Sequence, residues 1–185
     1  MTTPVPATMS EALNYLNKDP NAAHTSELEA FLEGATEAAE GWHNVGPIVA
    51  RQFTDRIEAT ADGNLLLLHT PVTAVTSATR ISDGYTYLTA DLDLDKNAGI
   101  VSGLNYRLPP GDYDVVYTAG RNPVPVSLKQ AVLIIFGHHW QTQQNSARRN
   151  RPVGAESDGV RVSMGYLIPN RAAHLLQPHA KDPVS

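Results

Sequence analysis

The spacing of apolar residues changes period twice along this chain. Thr8 with Glu11 three residues on reads as a capping box, and Met9, Ala12, Leu13 and Leu16 follow at helical spacing. This predicts a helix over 8–18, stopped by Asp19-Pro20. A second start lies at Thr25-Ser26, with Glu29 three residues after Ser26. Leu28, Phe31, Leu32, Ala35, Ala39 and Trp42 then form one apolar stripe, and Glu27, Glu29, Glu33, Glu37 and Glu40 occupy the other faces. The predicted helix spans 26–42 and is closed by Gly41 and Gly46-Pro47.

From residue 48 the period becomes alternating. Strands are predicted over 48–60 and 65–69 around the turn Ala61-Asp62-Gly63-Asn64, and over 72–79 after Pro71. Further strands follow over 85–94, 99–104 and 113–118, separated by Ser82-Asp83-Gly84 and Pro109-Pro110-Gly111. Gly120 ends the last one. The helical period then returns. Pro123 and Pro125 precede a predicted helix over 126–145, with Ser127 as its cap. It holds the most apolar run, Ala131-Val132-Leu133-Ile134-Ile135-Phe136. That run is far short of the about 20 apolar residues that cross a bilayer. A strand over 132–136 also fits, but the pattern starts at Leu128 and continues through His138, His139 and Trp140, which favours a helix buried on most sides.

The ends read differently. Residues 1–7, with Pro4 and Pro6, form an expected flexible arm ahead of a core at 8–145 that includes the β insert at 48–119. Residues 146–185 form a C-terminal arm. In it, Arg148, Arg149 and Arg151 cluster in a loop reaching Gly159, and 160–166 is extended. Ala172, Ala173, Leu175 and Leu176 make a short helix between Pro169 and Pro178. The fold class is therefore α+β. Two N-terminal helices, a long buried helix and a short C-terminal helix form a bundle with an inserted antiparallel β element.

Length and charge sharpen this picture. The 185 residues fit one domain with a real core. Residues 1–119 hold 16 acids and 6 bases, whereas residues 120–185 hold 3 acids and 8 bases. Such asymmetry favours two surfaces with different neighbours, or head-to-tail contact between copies; the acidic face of the second helix reads first as a solvated surface and otherwise as one that receives the basic half of a neighbouring copy. The chain has no cysteine, which excludes disulfides and thiolate metal sites. With no signal-peptide pattern after Met1, a soluble protein not secreted by a standard route is expected.

Candidate chemistry is sparse. Asp91, Asp93, Asp95, Asn97 and Gly99 resemble a calcium loop only in part. Lys96 and Ser102 stand where such a loop needs its glycine and its bidentate glutamate. His138 and His139 are adjacent, and His174 and His179 straddle Pro178, so neither pair has helical metal-ligand spacing. No GxSxG, Walker or GxGxxG motif occurs. The arginine cluster can meet phosphates or an acidic surface. A whole-chain pI near 5.7 speaks against a dedicated nucleic-acid binder.

The order of these elements carries a resemblance. Leu28, Phe31, Leu32, Ala35 and Thr36 lead into Thr70-Pro71-Val72, Val75-Thr76-Ser77, Asp83-Gly84 and Tyr87. Val116-Tyr117-Thr118-Ala119-Gly120, Val124-Pro125, Leu128-Lys129-Gln130-Ala131 and His139-Trp140 form the strongest block, followed by 165–171. Together they resemble the head–tail connector, or adaptor, proteins of long-tailed double-stranded DNA phages, closest to those of actinobacterial phages. The resemblance covers roughly residues 8–176 and rests on the order of the motifs.

The resemblance implies a virion structural protein without enzymatic activity or cofactor, made in the host bacterial cytoplasm. It implies a ring, commonly dodecameric, beneath the portal. Such a ring extends the channel through which genomic DNA passes without sequence-specific binding, and it docks a stopper or tail-completion protein. The expected portal contacts are Arg148, Arg149, Arg151, Ile168, Arg171, Leu175 and Leu176. The expected inter-subunit contacts are Glu33, Glu37, Phe136 and Trp140. Two other readings stay open. One is a stopper or tail terminator of the same virion. The other is a small α+β enzyme or ligand-binding domain, which a deep pocket lined by His138, His139 and nearby acids would support.

Overall fold

Thr8 caps the first helix as its sequence dictates. Its hydroxyl accepts from the Glu11 N–H at 3.3 Å, and its own N–H donates to the Glu11 carboxylate at 2.8 Å. In this computed structural model, which describes residues 3–18, 25–149 and 168–180, helix α1 runs Met9–Tyr15. It ends earlier than the proline predicts. Asn17 takes a left-handed conformation (φ 53°), and the Lys18 N–H returns to the Leu13 carbonyl at 3.0 Å. That is a Schellman closure, complete before Pro20 is reached.

The chain divides into two compact units, Met1–Val45 with Pro125–Ser185, and Gly46–Val124. In the first, α2 (Thr25–Gly41) buries Leu28, Leu32, Ala35, Thr36 and Ala39. The buried Thr36 hydroxyl donates to the Leu32 carbonyl at 2.8 Å. Trp42 falls outside the helix, in a 3₁₀ turn at Trp42–Asn44.

Helix α3 (Val126–Arg149) extends beyond the predicted residue 145. It packs against α1, α2 and α4 (Asn170–Leu176), the last followed by a 3₁₀ turn through Pro178. Leu128, Ala131, Val132, Ile135, Phe136 and Trp140 are buried, while Leu133 and Ile134 are half-buried. The expectation of burial on most sides is thus met by three partners of this same unit. Ser127 is not the cap. Pro125 precedes the first helical residue, and the Ser127 hydroxyl lies 2.9 Å from His179 Nε2, tying the start of α3 to the turn after α4. Lys129 pairs with Glu11, joining α3 to α1.

The second unit holds seven strands, β1 (Arg51–Glu58), β2 (Leu65–Leu66), β3 (Val72–Arg80), β4 (Thr86–Leu88), β5 (Leu92–Asp95), β6 (Ile100–Gly103) and β7 (Asp112–Ala119). They form an antiparallel sheet in the order β1-β7-β3-β4 and a second in the order β2-β6-β5. The β1–β7 register is unbroken from Arg51↔Ala119 to Glu58↔Asp112, whereas the β3–β7 register shifts twice. Alternation predicts the buried row of β7: Tyr113, Val115, Tyr117 and Ala119 all lie in the core with Leu65, Val75, Ala78 and Val101.

Three strand expectations are corrected. The stretch 48–60 forms a strand only from Arg51 to Glu58, with Val49 making an isolated parallel bridge to Arg121. The stretch 65–69 forms a strand only at Leu65–Leu66; beyond it the Leu67 N–H bonds to the Gly99 carbonyl at 2.8 Å and Leu68 is 70% exposed. The stretch 85–94 is not one strand. A 3₁₀ turn at Thr89–Asp91 breaks it, held by the Leu88 N–H on the Asp91 carboxylate (3.2 Å) and by the Thr89 hydroxyl on the Val75 carbonyl (2.7 Å). The two halves, β4 and β5, join different sheets. Gly120 does close β7, at φ 120°. A Cβ there would sit 2.5 Å from the Val49 carbonyl oxygen, so only glycine fits this crossing.

Candidate functional site

The helical unit offers one groove among its described residues that is built from two long elements. Along α2, Leu28, Leu32, Ala35 and Ala39 face the core, and this turns Ala30, Phe31, Gly34, Glu37 and Ala38 toward one side. Across from them α3 presents His138, His139, Thr142 and Gln143. The space between is about 640 Å³. Phe31 forms part of the wall by meeting Trp140 edge-on, with ring centroids 6.2 Å apart. Gln143 Nε2 donates to Glu27 Oε1 at 2.7 Å, and the Thr3 hydroxyl donates to Glu37 Oε1 at 2.9 Å.

The groove's chemistry is mild. Burial, and then the adjacent His138, hold the His139 imidazole below its ordinary pKa, so the neutral ring predominates near pH 7. Thr142 is the one hydroxyl in the lining, and it donates to the His138 carbonyl at 2.9 Å. Gly34 stands in the interior of α2, where glycine costs about 1 kcal/mol relative to alanine. No described atom lies within 4 Å of a Cβ built there, so no packing contact among the described residues requires the glycine. An acidic margin completes the site. Residues 25–41 carry five glutamates and no Lys or Arg, with Glu29 and Glu37 exposed and Glu27, Glu33 and Glu40 half-buried.

The residues expected at inter-subunit contacts are not equivalent. Glu37 is exposed and Glu33 half-buried, both on α2. Phe136 is fully buried and Trp140 is 8% exposed. Both side chains are taken up by this chain's own core, Trp140 between Phe31 and the Lys18 ammonium 5.1 Å over its ring. Among the residues expected to meet the portal, Arg171 is exposed on α4, with Ile168 and Leu175 half-buried nearby in sequence. Leu176 is fully buried and serves the core of the unit instead. Arg148 and Arg149 fall on the last turn of α3, but their side chains lie outside the described residues, as does Arg151.

In the β unit, Asp91 and Asp95 cap backbone rather than facing one another. Asp95 Oδ1 accepts from the Asn97 and Ala98 N–H groups at 3.0 Å each. No cluster of three His, Asp or Glu suited to a metal ion occurs among the described residues. A polar network that sequence reading missed links Asp55, His69 and Tyr117. The Tyr117 hydroxyl donates to Asp55 Oδ2 at 2.5 Å and accepts from the His69 N–H at 3.1 Å. The His69 ring stacks on Phe53 at 4.0 Å and lies 3.9 Å from the same carboxylate. Burial, reinforced by the Asp55 hydrogen bond, pushes the Tyr117 phenol well above its usual pKa. Three positions so far apart in sequence leave no local signal. Gly34, a glycine inside a strong helical pattern, was the one signal available for the groove.

The fold is that of an α+β protein, a four-helix unit interrupted by a two-sheet β unit. It is shared with solved particles. The chain is similar to one in the structure described as the neck of an empty GTA particle computed with C6 symmetry. That match has 21% identity and a TM-score of 0.67, and it covers 100% of this chain and 95% of the other. It is equally similar to a chain in the virion of a native gene transfer agent (GTA) particle, at 21% identity and a TM-score of 0.68, covering 99% and 95%. No protein-family model and no curated protein matches the sequence.

Proposed function

We propose that this protein is a structural component of a virion neck: a ring-forming head–tail adaptor seated beneath the portal of a long-tailed double-stranded DNA phage or phage-like particle. The observation that carries the reading is the fold likeness to a neck chain over all of this chain and 95% of the other. The connector motifs in the sequence, which resemble most those of actinobacterial phages, support the adaptor role within the neck. The segregation of charge supports assembly from several copies, since unlike patches on one chain suit head-to-tail contact. The ring would extend the DNA channel without reading sequence, and its far side would receive a stopper or tail-completion protein. Residues 146–176 are the proposed portal-facing segment, with Arg148, Arg149 and Arg151 as charged anchors and Ile168 and Leu175 as apolar ones.

The test is co-assembly with portal protein. The full chain should join a portal ring, and a chain with Arg148, Arg149 and Arg151 all replaced by glutamate, which leaves the buried Ala172 and Leu176 of α4 in place, should keep its fold yet fail to join. Normal joining by the substituted chain would remove the portal assignment. The competing reading, a ligand-binding or enzymatic domain, has one observation in its favour: the groove does bring His138, His139 and Glu37 together. Against it, the only hydroxyl lining that groove is engaged with a backbone carbonyl.

A further inference from the structure

We propose that the groove between α2 and α3 seats the α4 segment of a second copy of this chain. The inference rests on the ring reading for the premise that copies meet. Of the proposed portal-facing segment it gives the Arg171 and His174 face of α4 to the neighbouring copy and leaves Arg148, Arg149, Arg151 and Ile168 to the portal. The groove is partly apolar, walled by Ala30, Phe31 and Ala38. The space between the helices measures about 640 Å³.

Charge selects the occupant. Helix α2 carries five glutamates and no Lys or Arg, and Glu29 and Glu37 are exposed on it. Residues 168–180 have the opposite character, with Arg171, His174 and His179 and no acid. Arg171 and His174 are exposed on α4, which packs on α3. The glycine at 34 gives the seat its depth. A side chain there would fill space within 4 Å of which no described atom lies, whereas its absence lets a second backbone come close. Joining two different patches of the same molecule is a heterologous contact, which propagates from copy to copy and closes into a ring when the rotation allows.

The absence of cysteine makes the contact directly testable. Single-cysteine chains Gly34→Cys and His174→Cys are mixed and joined with a short bis-maleimide, with one chain tagged to separate the species by mass. The tagged mixed pair should form at several-fold higher yield than either homotypic pair. The double variant should give a ladder of multimers. Gly34→Trp should weaken self-association at least ten-fold with its helical circular dichroism unchanged. Glu37→Lys should weaken it too, with recovery when Arg171→Glu is added to the same chain. If wild-type chain assembles by sedimentation but 34 and 174 do not cross-link between copies, the seat is wrong and the ring reading survives. An exclusively intrachain product overturns the seat as well. A wild-type chain that stays monomeric and gives no cross-link overturns both the seat and unaided ring formation, and portal co-assembly then decides the neck reading separately.

Discussion

Tyr117→Phe removes one oxygen from the core of the β unit, and the structure fixes what that oxygen does. The hydroxyl donates to the Asp55 carboxylate at 2.5 Å and accepts from the His69 N–H at 3.1 Å, on a side chain with no solvent exposure. A hydrogen bond to a charged group contributes about 1.5–3 kcal/mol, and stranding a backbone donor costs about 1 kcal/mol more. Asp55 keeps 18% of its side chain exposed, so water recovers part of the loss. The expected destabilisation is about 2–3 kcal/mol. For a unit the size of residues 46–124, each kcal/mol moves the melting temperature by about 4–8 °C, so the shift is about 8–24 °C. Thermal and urea unfolding followed by near-ultraviolet circular dichroism measure it, because Tyr117, Tyr113 and Tyr87 share this core. A double-mutant cycle with Asp55→Asn should return a coupling of about 1–2 kcal/mol. A loss below about 0.5 kcal/mol, or additive effects of the two substitutions, would refute the network as a stabilising element.

Other consequences concern separate parts of the fold. The Lys129 hydrogen bond, and then those from Thr8, lower the Glu11 carboxyl to about 2. A depressed folded-state value stabilises above the ordinary carboxylate range, and that stability is lost as pH falls from about 4.5 toward 2. Melting temperatures across this window should fall less steeply for Glu11→Gln than for wild type, and parallel slopes would contradict the pairing. Phe136→Ala opens a cavity in the helical core and should cost about 3–5 kcal/mol by denaturant unfolding, whereas a loss under 1 kcal/mol would mean the side chain is not enclosed by this chain. Gly120→Ala forces a Cβ against the Val49 carbonyl at a positive φ and should cost at least about 1–3 kcal/mol in the β unit; unchanged stability would show that the strand crossing is looser than described.

Much of the helical architecture was legible because it is written locally. The Thr8–Glu11 box and the stripe Leu28, Leu32, Ala35, Ala39 need only neighbours three or four residues away. The buried row of β7 follows in the same way from alternation. What failed was set by partners distant in sequence. Nothing local in 85–94 says that Thr89 will bond to the Val75 carbonyl and break the strand there. Nothing in the apolar run of α3 says whether Phe136 meets its own core or a neighbour; the close packing of α1, α2 and α4 decides for the former. The acidic face of α2 was readable, but its groove was not, since that depends on which α3 residues stand opposite Gly34. The functional reading came from the order of weak motifs, and no single residue would have supplied it.

The most direct check of the account is the mass of the complex formed by the full chain with portal protein, read by native mass spectrometry and compared with each component alone. The expected result is a portal ring carrying an integral set of copies of this chain, arranged with rotational symmetry. A chain that remains monomeric with portal rings in excess, at any concentration tested, would contradict it.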